Sequence, residues 1–571
     1  MGAGSCKSFS SRQAEVEPRI ITGNHSNDDE FVEEVVCKES EIEENQMKNY
    51  DFGGSKVLIV KQNGKISALG TKCSHYGALL STGALGNGRI RCPWHGACFN
   101  IETGDIEDYP GQDSIPCYRV KIENGQVQVR AKKIDLKANR RTKEMLVQQN
   151  DERTFVVVGG GPSGAICAET LRQNGFGGRI VMVCKEPNLP YDRTKLSKVM
   201  DMPAEKLHLR TKAFYDDNNI ETLINVEAIA LNISNQNIAL SNGYHIKYDK
   251  IYIATGSSPR RVGIPGDDLK NVVTLRNIVD SHYINEILNS SSHVVVLGVS
   301  FIGLEAAAYC VNKVSRVTVI GRDSVPLRPI FGEAVGARVM EFFQDQNVNF
   351  IMQNGIKRCH GSDGILQSVE LNDGSIIKAD VCIMGIGSTL NTAFLKDSGL
   401  KINSDGSIDA NDRLETSIPN VYVGGDIANS PVFANDNKLT AIGHYPLAQY
   451  HGRVAADNMC GKSNKLHVVP FFWCMVFGKS FRYCGYGKPS EVHIEGNLQD
   501  MKFVAFYLND SGTVIAVASC QRDPVVSQFA EFLSQGRKLK KTELLTDPFG
   551  WIQNINKTNC DIINIQTFFL I

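Results

Sequence analysis

The sequence predicts a multidomain protein: an all-β domain, two Rossmann-like α/β domains with one inserted in the other, and a small α+β domain. The chain has 571 residues, which is too long for one hydrophobic core. Residues 31–131 contain short apolar or alternating runs separated by turn pairs such as Asn63-Gly64, a pattern typical of a small β domain. Further along, two buried runs each lead directly into a glycine-rich turn and a helical stretch, which indicates a dinucleotide-binding fold.

The predicted domain boundaries follow the changes in composition and pattern along the chain. They are 1–30 for a disordered tail, 31–131 for the all-β domain, 132–151 for a charged linker, 152–275 and 397–462 for the first α/β domain, 276–396 for the second, 463–545 for the α+β domain and 546–571 for a tail.

The composition excludes several classes of function. Lysine and arginine number 61 against 62 acidic residues, so nucleic acid is not an expected partner. The 16 cysteines lack the spacing of a disulfide framework and suit a reducing compartment. No apolar run approaches the ~20 residues of a transmembrane helix. We expect an intracellular protein of the mitochondrion or the cytoplasm.

The N-terminus leaves three alternatives open. Residues 1–7 resemble the start of a myristoylated protein with Cys6 as a palmitoyl acceptor, although the strict pattern has Ser or Thr at that position. Acylation there would associate the protein with a membrane. The acidic residues among the first 35 argue against the second alternative, a mitochondrial transit peptide. The third is a tail without any signal.

Two short arms carry a metal-binding signal. Cys73 and His75 form a C-x-H arm, and Cys92 and His95 form a C-x2-H arm. A zinc site usually takes like pairs, such as C-x2-C and H-x3-H, each from one turn. Here each arm carries one thiolate and one imidazole, which fits a two-iron cluster with two Cys on one iron and two His on the other. A zinc site and scattered surface residues are the alternatives.

The arms Cys73-Ser74-His75-Tyr76-Gly77 and Cys92-Pro93-Trp94-His95-Gly96 resemble those of Rieske [2Fe–2S] proteins. The resemblance implies that Cys73, His75, Cys92 and His95 are the cluster ligands. Respiratory Rieske proteins join the arms by a disulfide, but Ala78 and Trp94 stand at the matching positions here. The ferredoxin-like Rieske domains of oxygenase systems are therefore the better match. This implies a reduction potential toward the lower end of the range of about −150 to +300 mV.

The first glycine-rich turn follows the predicted strand Thr154–Val158 and precedes a helix to Gln173. Its glycines allow a tight turn, close approach of a pyrophosphate and packing of the helix on the strand. The next predicted strand, Arg179–Cys184, ends where a carboxylate can bind a ribose. The candidate residues of this dinucleotide site are Gly159, Gly161, Pro162, Ser163, Gly164, Lys185 and Glu186.

The second glycine-rich turn carries a nucleotide-specificity signal. Residues 294–297 lead into Gly298, Ser300 and Gly303, and the predicted strand Arg316–Ile320 follows a short helix. Arg322 comes after this strand, where a carboxylate is usual, and an arginine there favours the 2′-phosphate of NADPH. Asp323 could still bind the ribose of NADH, so both nucleotides stay open.

Two dinucleotide folds in one chain resemble the two-dinucleotide-binding flavoproteins. Residues 251–257 and 421–426 match the segments where that family leaves and re-enters its first fold. The resemblance implies FAD in the first fold, NAD(P)H in the second and the nicotinamide stacked on the flavin ring. Asp426 inherits a contact to the ribityl chain of FAD.

The segment 189–198 resembles that of oxygenase-type ferredoxin reductases and apoptosis-inducing factors, and it lacks the cysteine pair of disulfide reductases. The resemblance implies that Arg193 contacts the FAD pyrophosphate and that Lys198, paired with Glu305, lies near the flavin ring as the catalytic pair. A surface ion pair is the alternative for Lys198 and Glu305. The remaining cofactor-binding candidates are Arg276, Gly385, His444, Tyr445 and Trp473, the last three with a core aromatic as the alternative.

The order of domains resembles the apoptosis-inducing factors that carry an N-terminal Rieske domain. This implies an FAD-dependent NAD(P)H oxidoreductase that passes electrons through the cluster to an unidentified one-electron acceptor. The alternative is a pro-apoptotic redox-signalling protein with slow turnover. A complete oxygenase is not expected, because no 2-His-1-carboxylate iron site is evident.

Overall fold

A computed structural model describes residues 30–146 and 150–556 of the chain. The proposed acylation and transit signals, and the end of the C-terminal tail, lie outside these residues. Among the helices in the two ranges, none has both the length and the apolar character that crossing a bilayer requires.

The N-terminal domain is all-β, as the sequence predicts, and consists of two antiparallel sheets. The larger sheet has the spatial order Phe31–Lys38, Gln126–Lys132, Cys117–Glu123, Lys65–Gly70, Ser55–Gln62, Gln46–Phe52. The smaller sheet has the order Ala84–Leu85, Arg89–Arg91, Cys98–Asn100, Ile106–Asp108. The Cys73 arm follows strand Lys65–Gly70, and the Cys92 arm joins Arg89–Arg91 to Cys98–Asn100, so both arms are loops at one end of the domain.

The first α/β domain has a parallel five-stranded sheet that the chain completes only after a long insertion. Its order is Ile220–Ile224, Arg179–Cys184, Thr154–Val158, Lys250–Ile253, Val421–Val423. Helices Pro162–Gln173 and Tyr445–Met459 pack on each other beside the sheet. The smaller elements are helices Ala204–Leu207 and Lys212–Asp217 and strands Ala228–Asn232, Asn237–Leu240, His245–Lys247, Ser257–Pro259, Ser388–Leu390, Ile408–Asp409, Ala428–Val432 and Lys438–Ala441.

The inserted α/β domain repeats the same architecture. Its parallel sheet has the order Val272–Thr274, Val381–Met384, His293–Leu297, Arg316–Ile320, Val348–Ile351. Its helices are Ile278–Ile287, Phe301–Cys310 and Arg328–Gln344, and the strands Ile356–Ser362, Ile365–Leu371 and Ile376–Lys378 form a small antiparallel sheet.

The C-terminal domain is an antiparallel sheet with helices. The sheet order is Phe471–Val476, Lys479–Gly485, Val514–Cys520, Lys502–Leu508, Glu491–Asn497, and the helices are Val525–Ser534 and Lys541–Thr546. The domain continues past the predicted boundary at residue 545, because Trp551 is buried with its ring 5.3 Å from Phe529 and 5.4 Å from Phe532. Part of the predicted tail therefore belongs to this core.

The charged segment after the N-terminal domain packs on that domain. Arg140 donates to the carbonyls of Ser74 and His75, at 2.7 and 3.1 Å. Arg141 donates to the carbonyl of Ile115 at 3.2 Å and also contacts the carboxylate of Asp105. The sequence predicts a charged linker over residues 132–151, and two arginines of this segment find acceptors in loops of the N-terminal domain.

Candidate functional site

The two metal-binding arms have nearly the same backbone conformation. The amide of Gly77 donates to the carbonyl of Cys73 at 2.9 Å, and the amide of Gly96 donates to the carbonyl of Cys92 at 3.3 Å. Both glycines have a φ of about +80°, 78° for Gly77 and 81° for Gly96, where L side chains are strained. Each arm is thus a tight turn that begins at a buried cysteine and carries its histidine on the turn.

The fold brings the four predicted ligands together as two like pairs. The thiols of Cys73 and Cys92 hydrogen-bond to each other, and the Nδ1 atoms of His75 and His95 are 3.1 Å apart. Two like pairs suit a two-iron cluster, because each iron then takes only two protein ligands beside the sulfides.

The protonation chemistry of the four side chains also fits a cluster. Burial lowers the pKa of His75 to about 4 and holds that of His95 well below its usual value, so both imidazoles are neutral, as ligation requires. The hydrogen bond between the two thiols lowers the pKa of Cys92 and, together with burial, raises that of Cys73, so the pair holds one shared proton and Cys92 is the more acidic thiol. Binding of a cluster by both thiolates would release that proton.

The ligand arms face aromatic side chains at the seam between domains. The ring of Trp473, from the C-terminal domain, lies 4.4 Å from the ring of His95 and 5.8 Å from that of His75. Tyr76 stacks on His75 at 3.8 Å, and its hydroxyl donates to the carboxylate of Asp192 at 3.0 Å. The end of the N-terminal domain that carries the two arms thus contacts the first α/β domain and the C-terminal domain.

Buried ion pairs hold the N-terminal domain in this position, and motif analysis did not find them. Glu531 accepts from Arg89 at 3.0 Å and from Arg91 at 2.6 Å, and Arg91 also donates to Asp108 at 2.6 Å. The sequence held one signal, because Glu531 is a lone acid among apolar residues of helix Val525–Ser534. Other contacts between the domains are Arg210–Asp113, Arg453–Glu107, Gln449–Gly111 and Ser527–Cys92.

The first glycine-rich turn has the clearance that a pyrophosphate requires. A Cβ on Gly159 would lie 2.2 Å from the carbonyl oxygen of Ala254, and a Cβ on Gly164 would lie 2.0 Å from the carbonyl oxygen of Gly159. Around Gly161, by contrast, a Cβ would meet no atom within 4 Å, so this face of the turn is open. The hydroxyl of Ser163 is already engaged in a hydrogen bond, because it lies 2.6 Å from the buried hydroxyl of Tyr252.

The predicted ribose carboxylate and the predicted phosphate contact lie side by side. Glu186 accepts from Arg193 and from the hydroxyl of Tyr191, both at 2.5 Å. Arg193 also donates to the carbonyl of Arg276 at 3.0 Å. Lys185 instead pairs with Glu227 on the surface at 2.7 Å. The structure therefore groups Glu186 and Arg193 at the rim of the first fold and separates Lys185 from them.

A second polar group surrounds Asp426. Its carboxylate accepts from Ser257 at 2.7 Å and from Arg276 at 3.0 Å. The Nδ1 atom of His444 and the hydroxyl of Tyr445 are buried without a hydrogen-bond partner in the described part of the chain. Burial lowers the pKa of His444 to about 4, so its ring is neutral. Unsatisfied buried polar atoms are uncommon, and here they fit a polar ligand such as FAD.

Lys198 and Glu305 join the two α/β domains. The ammonium of Lys198 lies 2.8 Å from the carboxylate of Glu305, which also accepts from the hydroxyl of Ser197. Glu305 is 5% exposed, on helix Phe301–Cys310, and Lys198 also donates to the carbonyl of Thr194 at 3.1 Å. The pair lies between the domains and is largely buried, unlike an ordinary surface ion pair.

The second glycine-rich turn closes against Gly385. A Cβ on Gly298 would lie 2.2 Å from the carbonyl oxygen of Gly385, and the hydroxyl of Ser300 donates to the same oxygen at 3.2 Å. A Cβ on Gly303 would lie 2.3 Å from the carbonyl oxygen of Gly298. Arg322 is exposed after strand Arg316–Ile320 and forms no ion pair with any described residue. It is therefore available to a nucleotide phosphate.

Comparisons with known proteins agree with both halves of this arrangement. Residues 153–452 match the family described as pyridine nucleotide-disulphide oxidoreductase, and residues 33–119 match the Rieske [2Fe-2S] domain. The chain is 40% identical over 555 residues to apoptosis-inducing factor 3 of Mus musculus, covering 95% of this chain and 91% of the relative. It is 30% identical over 400 residues to a ferredoxin–NAD(P)(+) reductase of Sphingomonas sp, covering 69% and 94%.

A solved structure, the covalent putidaredoxin reductase–putidaredoxin complex, is similar with a TM-score of 0.67 at 26% identity, covering 71% of this chain and 98% of that chain. The predicted fold class is confirmed, and so is the predicted cofactor set of FAD, a [2Fe–2S] cluster and NAD(P)H. The chain therefore belongs to the pyridine nucleotide-disulphide oxidoreductase family, together with apoptosis-inducing factor 3, as an FAD-dependent oxidoreductase with a Rieske domain.

Proposed function

We propose that this chain passes electrons from NAD(P)H through FAD to its own Rieske cluster, and from there to a one-electron acceptor. One strand, Phe471–Val476, supplies the observation that carries this proposal. Its Trp473 contacts the predicted ligand His95, while the thiol of the next residue, Cys474, hydrogen-bonds to Glu305 of the pair predicted beside the flavin. Adjacent residues thus contact both redox sites.

The bound groups supply the redox chemistry, with a hydride donor, a two-electron flavin and a one-electron cluster. The side chains of this chain hold and orient these groups. Arg276 and Ser257 fix the carboxylate of Asp426 for the ribityl chain, and Ser197 and Lys198 fix that of Glu305. Beside a bound flavin, the positive charge of Lys198 would stabilise the negative charge that reduction adds to the ring, and so favour hydride acceptance.

The docked Rieske domain supports an internal electron path. The putidaredoxin reductase structure is a complex with a separate protein, putidaredoxin. In this chain the cluster domain is covalently attached and held by the buried Glu531 ion pairs. A covalent connection raises the effective concentration of one site at the other. We infer that the Rieske domain takes, within one chain, the place that a separate electron carrier takes in that complex.

An anaerobic titration with NADPH, and separately with NADH, tests the path. Flavin absorbance and low-temperature EPR of the cluster are followed together. We expect the EPR signal of the reduced cluster to grow as the flavin absorbance bleaches. Bleaching with an EPR-silent, oxidised cluster would show that the cluster exchanges electrons with another partner, and the proposed path would be wrong.

Lys198→Met is expected to slow flavin reduction by NAD(P)H about 10- to 100-fold, because the barrier rises by about 1.4 to 2.7 kcal/mol when the charge predicted beside the flavin is lost. Stopped-flow absorbance measures the rate. Lys212→Met is the matched control, since Lys212 pairs with Asp216 on the surface of the same domain. An unchanged rate in Lys198→Met would assign the Lys198–Glu305 pair a purely structural role.

Arg322→Ala is expected to lower kcat/KM for NADPH about tenfold and to leave that for NADH nearly unchanged, since only NADPH carries the 2′-phosphate. Steady-state rates with a one-electron dye measure both values. Arg328→Ala is the control, because Arg328 is engaged by Glu333 at 2.7 Å. Equal losses for both nucleotides would show that Arg322 contacts a part common to both. No loss for either would favour recognition of the ribose through Asp323.

A second candidate function, pro-apoptotic redox signalling with slow turnover, is supported by the 40% identity to apoptosis-inducing factor 3. A long-lived reduced flavin with sluggish transfer to any acceptor would favour it. Rapid turnover with a one-electron acceptor would favour the reductase. The mitochondrial or cytoplasmic location and membrane association through an acylated N-terminus remain predictions.

A further inference from the structure

A buried arginine of the C-terminal domain reaches the Cys92 arm of the Rieske domain. Arg482 lies on strand Lys479–Gly485, opposite Trp473 in the sheet, and is only 5% exposed. Its Nε donates to the carbonyl of Trp94 at 2.8 Å, within the arm that carries Cys92 and His95. Another domain thus contributes a cation directly behind the predicted ligands.

The guanidinium of Arg482 is incompletely satisfied by protein atoms. Asp523 pairs with its Nε at 3.0 Å, but Nη1 is buried without a hydrogen-bond partner in the described residues. Burying a charge with an unused donor is costly, so such groups usually have a ligand or a further acceptor. Nη1 of Arg482 therefore needs an acceptor. A sulfide of the cluster, or the thiolate of Cys92 as a cluster ligand, would supply one.

The C-terminal domain also contacts the Cys92 arm at a second point. Ser527 of the same C-terminal domain donates to the carbonyl of Cys92 at 2.9 Å. The domain that packs against the flavin site therefore contacts this arm at two points.

We propose that Arg482 is a cluster-binding residue supplied by the C-terminal domain, and that its charge raises the reduction potential of the Rieske cluster. Reduction adds one negative charge to the cluster, and a nearby buried cation stabilises the more negative state. Asp523 opposes this effect because it partly neutralises Arg482. The reduction potential of the cluster then depends on the contact between the N-terminal and C-terminal domains, because that contact brings Arg482 to the cluster. This inference needs the cluster in place, but it holds whether or not the flavin is the electron donor.

Redox titration of the full-length holoprotein tests the proposal. Dithionite with soluble mediators poises the potential at pH 8, and EPR reports the reduced cluster without any use of NAD(P)H. For Arg482→Gln we expect the equilibrium constant of cluster reduction to fall about tenfold, which is about 59 mV for one electron. Asp523→Asn should shift the potential in the opposite direction, and Arg482→Lys should retain most of the wild-type value.

Arg338→Gln is the matched control. Arg338 pairs with Glu341 on helix Arg328–Gln344 of the second α/β domain, and this variant should leave the potential unchanged. Iron content and EPR g values verify that each variant holds an intact cluster. The proposal is overturned if both Arg482→Gln and Asp523→Asn keep the wild-type potential, or if both shift it in the same direction, as repacking alone would do. If Arg482→Gln does not retain a cluster, Asp523→Asn decides, and a potential that fails to rise overturns the proposal.

Discussion

Replacement of His95 by alanine is expected to eliminate the cluster and, with it, electron delivery to a one-electron acceptor, while NAD(P)H still reduces the flavin. His95 is paired with His75, with their Nδ1 atoms 3.1 Å apart, and each iron would have only two protein ligands. Loss of a residue that merely orients a ligand weakens a metal site by about 10- to 100-fold, so loss of a ligand should exceed this. Iron analysis and EPR measure the cluster, and stopped-flow absorbance measures flavin reduction.

His493→Ala is the matched control for His95→Ala. His493 bonds to Glu495 at 2.6 Å in the edge strand Glu491–Asn497 of the C-terminal domain. We expect this variant to keep its iron and its acceptor activity. A normal Rieske EPR signal in His95→Ala would show that the ligand assignment is wrong. Loss of the cluster with undiminished acceptor reduction would show that electrons leave directly from the flavin.

Local patterns predicted the elements around each site well. Strands Thr154–Val158 and Arg179–Cys184 have the bounds that the sequence predicted, because a run of buried residues next to a glycine turn is a strong local signal. The two ligand arms were also readable, since four residue types at fixed spacing define them. The resemblance to Rieske proteins implied the pairing of Cys73 with Cys92, and the fold brings these two residues together.

Contacts between domains could not be predicted from such patterns. Trp473 was predicted as a cofactor-binding residue, with a core aromatic as the alternative, and the structure places its ring beside His75 and His95. Arg482 gave no local signal, because a single arginine in a strand is usually exposed. Both contacts join residues almost 400 positions apart, and no spacing rule connects them. Glu531 alone gave a local signal, because a charged residue on a largely apolar helix is expected to have a buried partner.

Glu531→Ala is expected to destabilise the docked arrangement by about 3–5 kcal/mol, the usual result of removing one partner from a buried ion pair. The side chains of Glu531 and Arg91 are 1% and 2% exposed. Without Glu531, Asp108 is the one carboxylate among the described residues that still pairs with Arg91, and Arg89 keeps a distant 3.9 Å contact to the same group. Calorimetry should show the N-terminal domain unfolding at a lower temperature, and flavin-to-cluster electron transfer should slow.

Two variants separate charge from packing in this prediction. Glu491→Ala removes a surface pair with Lys541, 2.7 Å apart, and should cost no more than about 1 kcal/mol. Glu531→Gln keeps the volume and one acceptor oxygen but removes the charge. If uncompensated cations cause the destabilisation, Glu531→Gln should lose most of what Glu531→Ala loses. A glutamine variant as stable as wild type would mean that the side chain acts through packing and hydrogen bonding. Unchanged stability and electron transfer in Glu531→Ala would mean that other contacts, such as Arg210–Asp113, suffice to dock the cluster.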